Sequence, residues 1–177
     1  WHTHQLEMFV LQVVTLPIAP LAARTGVLRQ FWERAFHRAC RPHLGPRETF
    51  RNSAAATNLM HVDYAADYLA YRCFSPNHVL DFGSARAWVR GGAQLWVGDL
   101  NAPDDDAHDR AIADLVRLAR RLGMRAVVFQ TSPAGPLAAR LRRRLPARLG
   151  FRVMSLALRD HIDPETWDCH FGDLDTF

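Results

Sequence analysis

The tightest constraint on this chain is a punctuated alternation of short and long periods between Ala85 and Leu158. Ala85–Arg90 and Ala93–Gly98 are short alternating runs around Gly91-Gly92. A Gly-Gly link predicts a tight hairpin there, because the favoured two-residue turns need positive φ. Asn101–Asp109, acidic and containing Pro103, then leads into Ile112, Leu115, Ala119 and Leu122 at helical spacing, with Asp109, Arg110, Asp114, Arg117, Arg120 and Arg121 on the polar side. Aspartates at the start and arginines at the end match the helix dipole, and Gly123 supplies a left-handed stop. Arg125–Gln130 reads as a buried strand, Pro136–Leu149 as a helix with Leu137, Leu141 and Leu145 in one stripe, and Phe151–Arg159 as a further strand after Gly150. Strands and helices in this order predict an α/β (α+β) fold with a mixed, partly parallel sheet flanked by helices.

The flanking segments extend the pattern. Met8–Leu16 has strand composition and stops at Pro17, and Leu21–Arg41 is a helix whose stripe comprises Leu28, Phe31, Trp32, Ala35, Phe36 and Ala39. Residues 42–61 have no clear period and predict a long loop. Asp63 caps a helix to about Phe74, and His78–Phe82 is a strand feeding the hairpin. Near the end, Thr166–Phe171 alternates Trp167, Cys169 and Phe171 with Asp168 and His170, a last strand expected to pair antiparallel with Phe151–Arg159.

At 177 residues the whole chain, 1–177, fits one domain, with 62–177 as its core and 1–61 as a strand, helix and long loop. Residues 1–61 also read as the end of a preceding lobe plus a linker. All 22 basic residues are arginine and the net charge is only +4, a compositional bias rather than a nucleic-acid surface. The three scattered cysteines, Cys40, Cys73 and Cys169, point to a reducing, cytoplasmic setting. Leu6–Leu16 is the longest apolar run near the start. It carries Glu7 and Gln12 and falls short of the roughly 20 residues a membrane span needs. No basic segment precedes it as in a signal peptide, and a first residue of Trp1 fits a processed or trimmed chain.

The order strand, two helices, three strands, helix, strand, helix, two strands resembles the GNAT acyltransferase family. Ser132 and Leu137 after a strand, followed by Leu149-Gly150-Phe151, are similar to the family's motif at its fourth helix, and the ending Gly172–Phe177 is similar to the tails of some two-lobed GNAT-like bacterial proteins. The resemblance covers residues 62–177 by motif and 1–61 by element order. It implies a GNAT-like three-layer domain with a centrally parallel twisted sheet, in which acetyl-CoA or another acyl-CoA lies where the fourth and fifth strands splay. Val97, Gly98, Leu100 and Asn101 would then hold the pantetheine arm, with Ser132 and Leu137 against the cofactor and Asp99 or His108 as base. The implied reaction moves an acyl group from the thioester to a small-molecule amine. Two positions depart from the family. Asp104, Asp105, Asp106 and Asp109 stand where a glycine-rich loop would cradle pyrophosphate, and Pro146 stands where the tyrosine acid would fall. These departures support an alternative, a catalytically degenerate lobe kept for acceptor binding or dimerisation, paired with a preceding lobe of the same chain or with a second copy.

Other constellations carry less. Asp104–Asp106 with His108 and Asp109 have oxygen ligands for a cation, but capping explains consecutive carboxylates at a helix start. His37, Cys40 and His43 offer partial zinc spacing interrupted by Pro42, and no metal is expected. His2 and His4 read as a frayed or tag-like start. Arg140, Arg142, Arg143, Arg144 and Arg148 form a basic helix face, either solvated or in contact with an anion such as a CoA phosphate. Without interleaved aromatics the face lacks the stacking surface a nucleic acid would use. Trp88 and Trp96 are expected to pack within the hairpin.

Overall fold

A computed structural model of the protein describes residues 2–22, 26–46, 50–51, 59, 77–155 and 168–170. Its elements are β1 (His2–Gln12), α1 (Ile18–Ala22), α2 (Gly26–Cys40), a 3-10 turn (Arg41–His43), β2 (Asn77–Asp81), β3 (Arg86–Gly91), β4 (Leu95–Asn101), α3 (Asp105–Arg121), β5 (Ala126–Thr131), α4 (Pro136–Arg142) and β6 (Arg148–Ser155). Six strands form one mixed sheet in the order β2-β3-β4-β5-β1-β6, with helices flanking it. This is the expected α+β, GNAT-like three-layer arrangement. Only β4 and β5 run parallel, as a strand–helix–strand crossover requires; the other neighbours are antiparallel.

The elements nearest the site form for the reasons legible in their residues. Asp104 caps α3, its Oδ1 accepting from the Ala107 N–H at 2.7 Å. Ala107, Ala111, Leu115, Leu118 and Ala119 turn inward, and Gly123 leaves the helix at φ +66°. β5 is buried at every residue, which accounts for its unbroken apolar run. Phe9 of β1, Phe36 of α2, Leu115 of α3 and Phe129 of β5 meet in one continuous core. Each such burial contributes roughly 1.5–3 kcal/mol.

Several expectations need correction. Gly91 is not a turn residue: it pairs with Leu95 inside the ladder, and residues 92–94 make the connection. Among the described residues only Gly83 and Gly123 have positive φ. Gly91 is needed for packing, since a Cβ there would lie 2.7 Å from the Phe36 ring. The second helix stops at Arg142 rather than Leu149, because Pro146 has no N–H for the Arg142 carbonyl and biases Leu145 away from helical ψ. Leu149-Gly150-Phe151 therefore lies in β6 instead of closing a helix. Gly150 lets the Leu6 carbonyl approach a would-be Cβ to 2.9 Å, and the Gln130 Oε1 accepts from the Phe151 N–H at 2.9 Å.

The first strand begins at His2 and ends at Gln12, earlier than its composition suggested, and His4 is buried within it rather than frayed. It lies between β5 and β6, inside the sheet. The expected helix 21–41 is divided between α1 and α2. Phe36, Ala39 and Cys40 are buried along α2, whereas Leu28 and Phe31 are 52% and 61% exposed, so the broad stripe is only partly core. Trp88 is fully buried, but it sits opposite Asp99 while Trp96 sits opposite Arg90, so the two tryptophans do not pair. The expected helix 63–74 and most of the 42–61 loop lie outside the described residues. Among the described residues no helix is long and apolar enough to cross a membrane.

Candidate functional site: the split between β4 and β5

β4 and β5 pair at Leu95–Val127, Trp96–Val128 and Val97–Phe129, and then their pairing ends. β4 continues to Asn101 and β5 to Thr131. A cause lies in the register with β3: Trp88 opposes Asp99 and Val89 opposes Val97, leaving Gly98 as an extra residue on β4. A bulge of this kind bends its strand and increases its twist. It stands one residue past the last parallel pair, where β4 departs from β5.

A split sheet leaves backbone groups that need partners. The chain supplies some of them itself. The Ser132 N–H donates to the Cys169 carbonyl at 2.7 Å, and Thr131 forms an antiparallel bridge with His170. Thr131 also pairs with Glu7 of β1, so His170 takes the opposite edge of β5, the one turned toward β4. Residues 168–170 thus occupy the split. The last strand was expected beside Phe151–Arg159. Instead these residues lie against the end of β5, while β6 pairs with β1.

Side chains complete the filling. Asp99 of β4, Asp168 and His170 are each 0% exposed. The His170 Nε2 lies 3.3 Å from Asp168 Oδ2 and 3.7 Å from Asp99 Oδ1. Asp168 Oδ1 accepts from the Ser132 hydroxyl at 3.2 Å, and Asp99 Oδ1 accepts from the Leu100 N–H at 2.7 Å. Gly135, the residue before α4, leaves the space Asp168 enters: a Cβ there would overlap the Asp168 carboxylate, with its Cγ at 2.7 Å. Buried carboxylates are tolerated only with such partners. Ser132, Asp168, His170 and Asp99 nevertheless do not make a nucleophilic triad. The Ser132 hydroxyl donates to the Asp168 carboxylate, whereas in such a triad the imidazole stands between the hydroxyl and the carboxylate.

The remaining expected site residues are distributed as follows. Val97, Leu100 and Leu137 are core side chains, Gly98 forms the bulge, and the Asn101 side chain donates to the Arg51 carbonyl at 3.1 Å. Ser132 does stand at the split, next to Asp99 through Asp168 and His170. His108 does not join them. It is buried between α3 and α4, where burial first and then the charge of Arg140 push its pKa down from 6.5 to about 4.

The anion position at the start of α3 is also satisfied internally. Asp104 caps the helix, and Asp105 is held by Arg143 and Arg140, with its carboxyl kept below the usual range by the Arg143 hydrogen bond. Arg142, Arg143 and Arg144 are exposed, as a solvated face is, but they are ion-paired rather than an open anion surface: Arg140 and Arg143 meet Asp105, Arg142 meets Glu7, and Arg144 meets Asp109. Among the described residues no three His, Cys, Asp or Glu side chains gather as a metal site. Cys40 is fully buried, its thiol pushed up to about 12 by desolvation, which disfavours the thiolate that zinc binds. Comparison with protein-family models and with curated proteins finds no match.

Sequence reasoning missed Asp168, His170 and Gly135. The alternation at 166–171 assigned Asp168 and His170 to a polar side, whereas Asp168, Cys169 and His170 are all buried. The available signal was two ionisable residues flanking a cysteine in a short strand-like run, with a Gly-Pro start to the nearest helix.

Proposed function

We propose that this chain is a GNAT-like lobe whose acyl-CoA channel is closed by its own residues, and that it works by binding rather than by acyl transfer. The observation that carries this reading is His170 bridged to Thr131 with its imidazole beside Asp99, in the gap where an acyl-CoA would lie. The self-capped start of α3 supports it, since Asp104 and Asp105 take the place of a bound diphosphate. Dimerisation is the role favoured by the surface. Leu16, Leu21, Val27 and Phe31, all more than half exposed, offer apolar area to a second copy.

Acyl transfer to a small amine remains a second reading, favoured by the divergence of parallel β4 and β5 after three pairs. It requires residues 168–170 to leave the split and expose Asp99 as base. Thermal unfolding with acetyl-CoA separates the two. A ligand at 100 times its dissociation constant adds about 2.7 kcal/mol. No rise in Tm at millimolar acetyl-CoA is expected, and a saturable rise would favour the transferase. Sedimentation of the native chain and of Phe31→Asp tests the dimer: a monomer at micromolar concentration would remove that role.

A further inference from the structure

Arginines stand in two different settings in this molecule. On α4, Arg140, Arg142, Arg143 and Arg144 all have carboxylate partners. Arg34, Arg38 and Arg41, on α2 and the turn that follows it, are exposed, and among the described residues none of them meets a carboxylate. With Gln30, Glu33 and His37 they line a cavity of about 620 Å³. That volume lies within the roughly 300–1,000 Å³ of clefts that hold small molecules.

Positions 34, 38 and 41 are four and three residues apart, so each arginine neighbours the next on the helix surface. Like charges so placed destabilise a helix, and no acid stands three or four positions from any of them. The negative pole at the end of α2 offsets Arg38 and Arg41, but its effect fades within the last turn and does not reach Arg34. Among the described residues lining the cavity Glu33 is the one acid, and Arg29 already holds it at 2.9 Å. Three positive charges are therefore left over. His37 adds an imidazole donor beside them, its ring seated 5.2 Å from that of buried His78.

A bound anion turns this mutual repulsion into shared attraction. At 1.5 Å of rise per residue, Arg34 and Arg41 stand about 10 Å apart along the axis. A ligand with several charges in a row spans that distance, whereas a single small anion meets only one or two of the arginines. The guanidinium fork matches the paired oxygens of a phosphate. His37 is the only ring among the described lining residues, so the cavity lacks the aromatic row on which nucleic-acid bases would stack.

We propose that the groove along α2 binds a small molecule carrying a di- or triphosphate chain, with Arg34, Arg38 and Arg41 donating to its oxygens. The site is remote from the split: Phe36 of α2 packs on Gly91, which pairs with Leu95 at the opposite end of β4 from Asp99. It stands whether or not the acyl-CoA channel is closed.

The test is calorimetric titration of the full chain, at about 150 mM salt to screen non-specific attraction, with inorganic triphosphate and with orthophosphate. Saturable one-to-one binding of triphosphate is expected, with orthophosphate weaker by at least about tenfold, the equivalent of one charge-assisted hydrogen bond. Arg38→Gln relieves like-charge repulsion at an exposed position, so it should fold with an unchanged or higher Tm and bind triphosphate about tenfold more weakly. Arg121→Gln removes the same charge from an exposed position at the end of α3 and should leave binding unchanged. No saturable binding at millimolar triphosphate, orthophosphate binding as tightly as triphosphate, or equal weakening by Arg38→Gln and Arg121→Gln would each overturn the proposal.

Discussion

Replacing Gly135 with alanine should expel residues 168–170 from the split, and the cost can be worked from the contacts. The backbone at Gly135, φ −71° and ψ 152°, is one alanine adopts freely, so no strain arises from the main chain itself. The unfolded chain loses entropy in the exchange, which favours the variant by about 0.4–1 kcal/mol. Against this, the new Cβ overlaps the Asp168 carboxylate, with Cγ at 2.7 Å and Oδ2 at 2.8 Å, and Asp168 is fully buried with nowhere adjacent to go. Overpacking of this kind costs about 1–3 kcal/mol, and losing the Ser132–Asp168 hydrogen bond inside the protein costs about 1–3 kcal/mol more. The net is a loss of about 1–6 kcal/mol. Urea denaturation measures it, with Gly26→Ala, where nothing lies within 4 Å of a new Cβ, as the control. Labelling of Cys169, 2% exposed in the native chain, should accelerate in parallel. A Gly135→Ala protein as stable as the native one, with Cys169 still protected, would refute the placement of Asp168 and with it the closed channel.

Acid should weaken the fold through His108, whose pKa is about 4 folded against 6.5 in the free side chain. The unfolded state binds the extra proton, so stability is unaffected above about pH 6.5, falls as pH drops below it, and has lost about 3 kcal/mol once pH passes 4. His108→Leu should lack this loss when urea stabilities are compared at pH 7 and pH 4.5, and parallel curves would contradict it. Cys40, with its thiol pushed up to about 12, should resist maleimide at pH 8 in the native chain and react after denaturation, as read by peptide mass. Gly123→Ala should cost at least about 2 kcal/mol in urea denaturation, because it forces a side chain to φ +66° and brings its Cβ within 2.8 Å of the Leu16 carbonyl.

What could be read in advance was local. The Asp104 cap, the inward face of α3, the Gly123 stop and the apolar run of β5 depend on neighbours three or four residues away or on simple burial, and all four appear in the structure. Long-range packing set the rest. Gly91 looks like turn chemistry but is demanded by Phe36, more than fifty residues earlier in the chain. Leu28 and Phe31 continue an apolar period that packing does not use. The site was half legible. Asp99 was expected as a base and Ser132 beside a cofactor; both stand at the split, but the groups joining them are Asp168 and His170, whose polarity argued for solvent. Arg140, Arg142, Arg143 and Arg144 read as a solvated or anion-contacting face because their carboxylate partners are Glu7, Asp105 and Asp109, remote in the chain.

The place of β1 bears on how the protein is made. It precedes both of its partners, Ala126–Thr131 and Arg148–Ser155, by more than a hundred residues, so His2 waits for Ser155 to emerge from the ribosome. Contacts of such high sequence separation slow folding and leave nascent strand edges open to wrong pairings. Moving His2–Gln12 to the carboxyl end by circular permutation, with a linker, would bring the strand close in sequence to both neighbours. Faster refolding at equal final stability is the outcome that this topology demands.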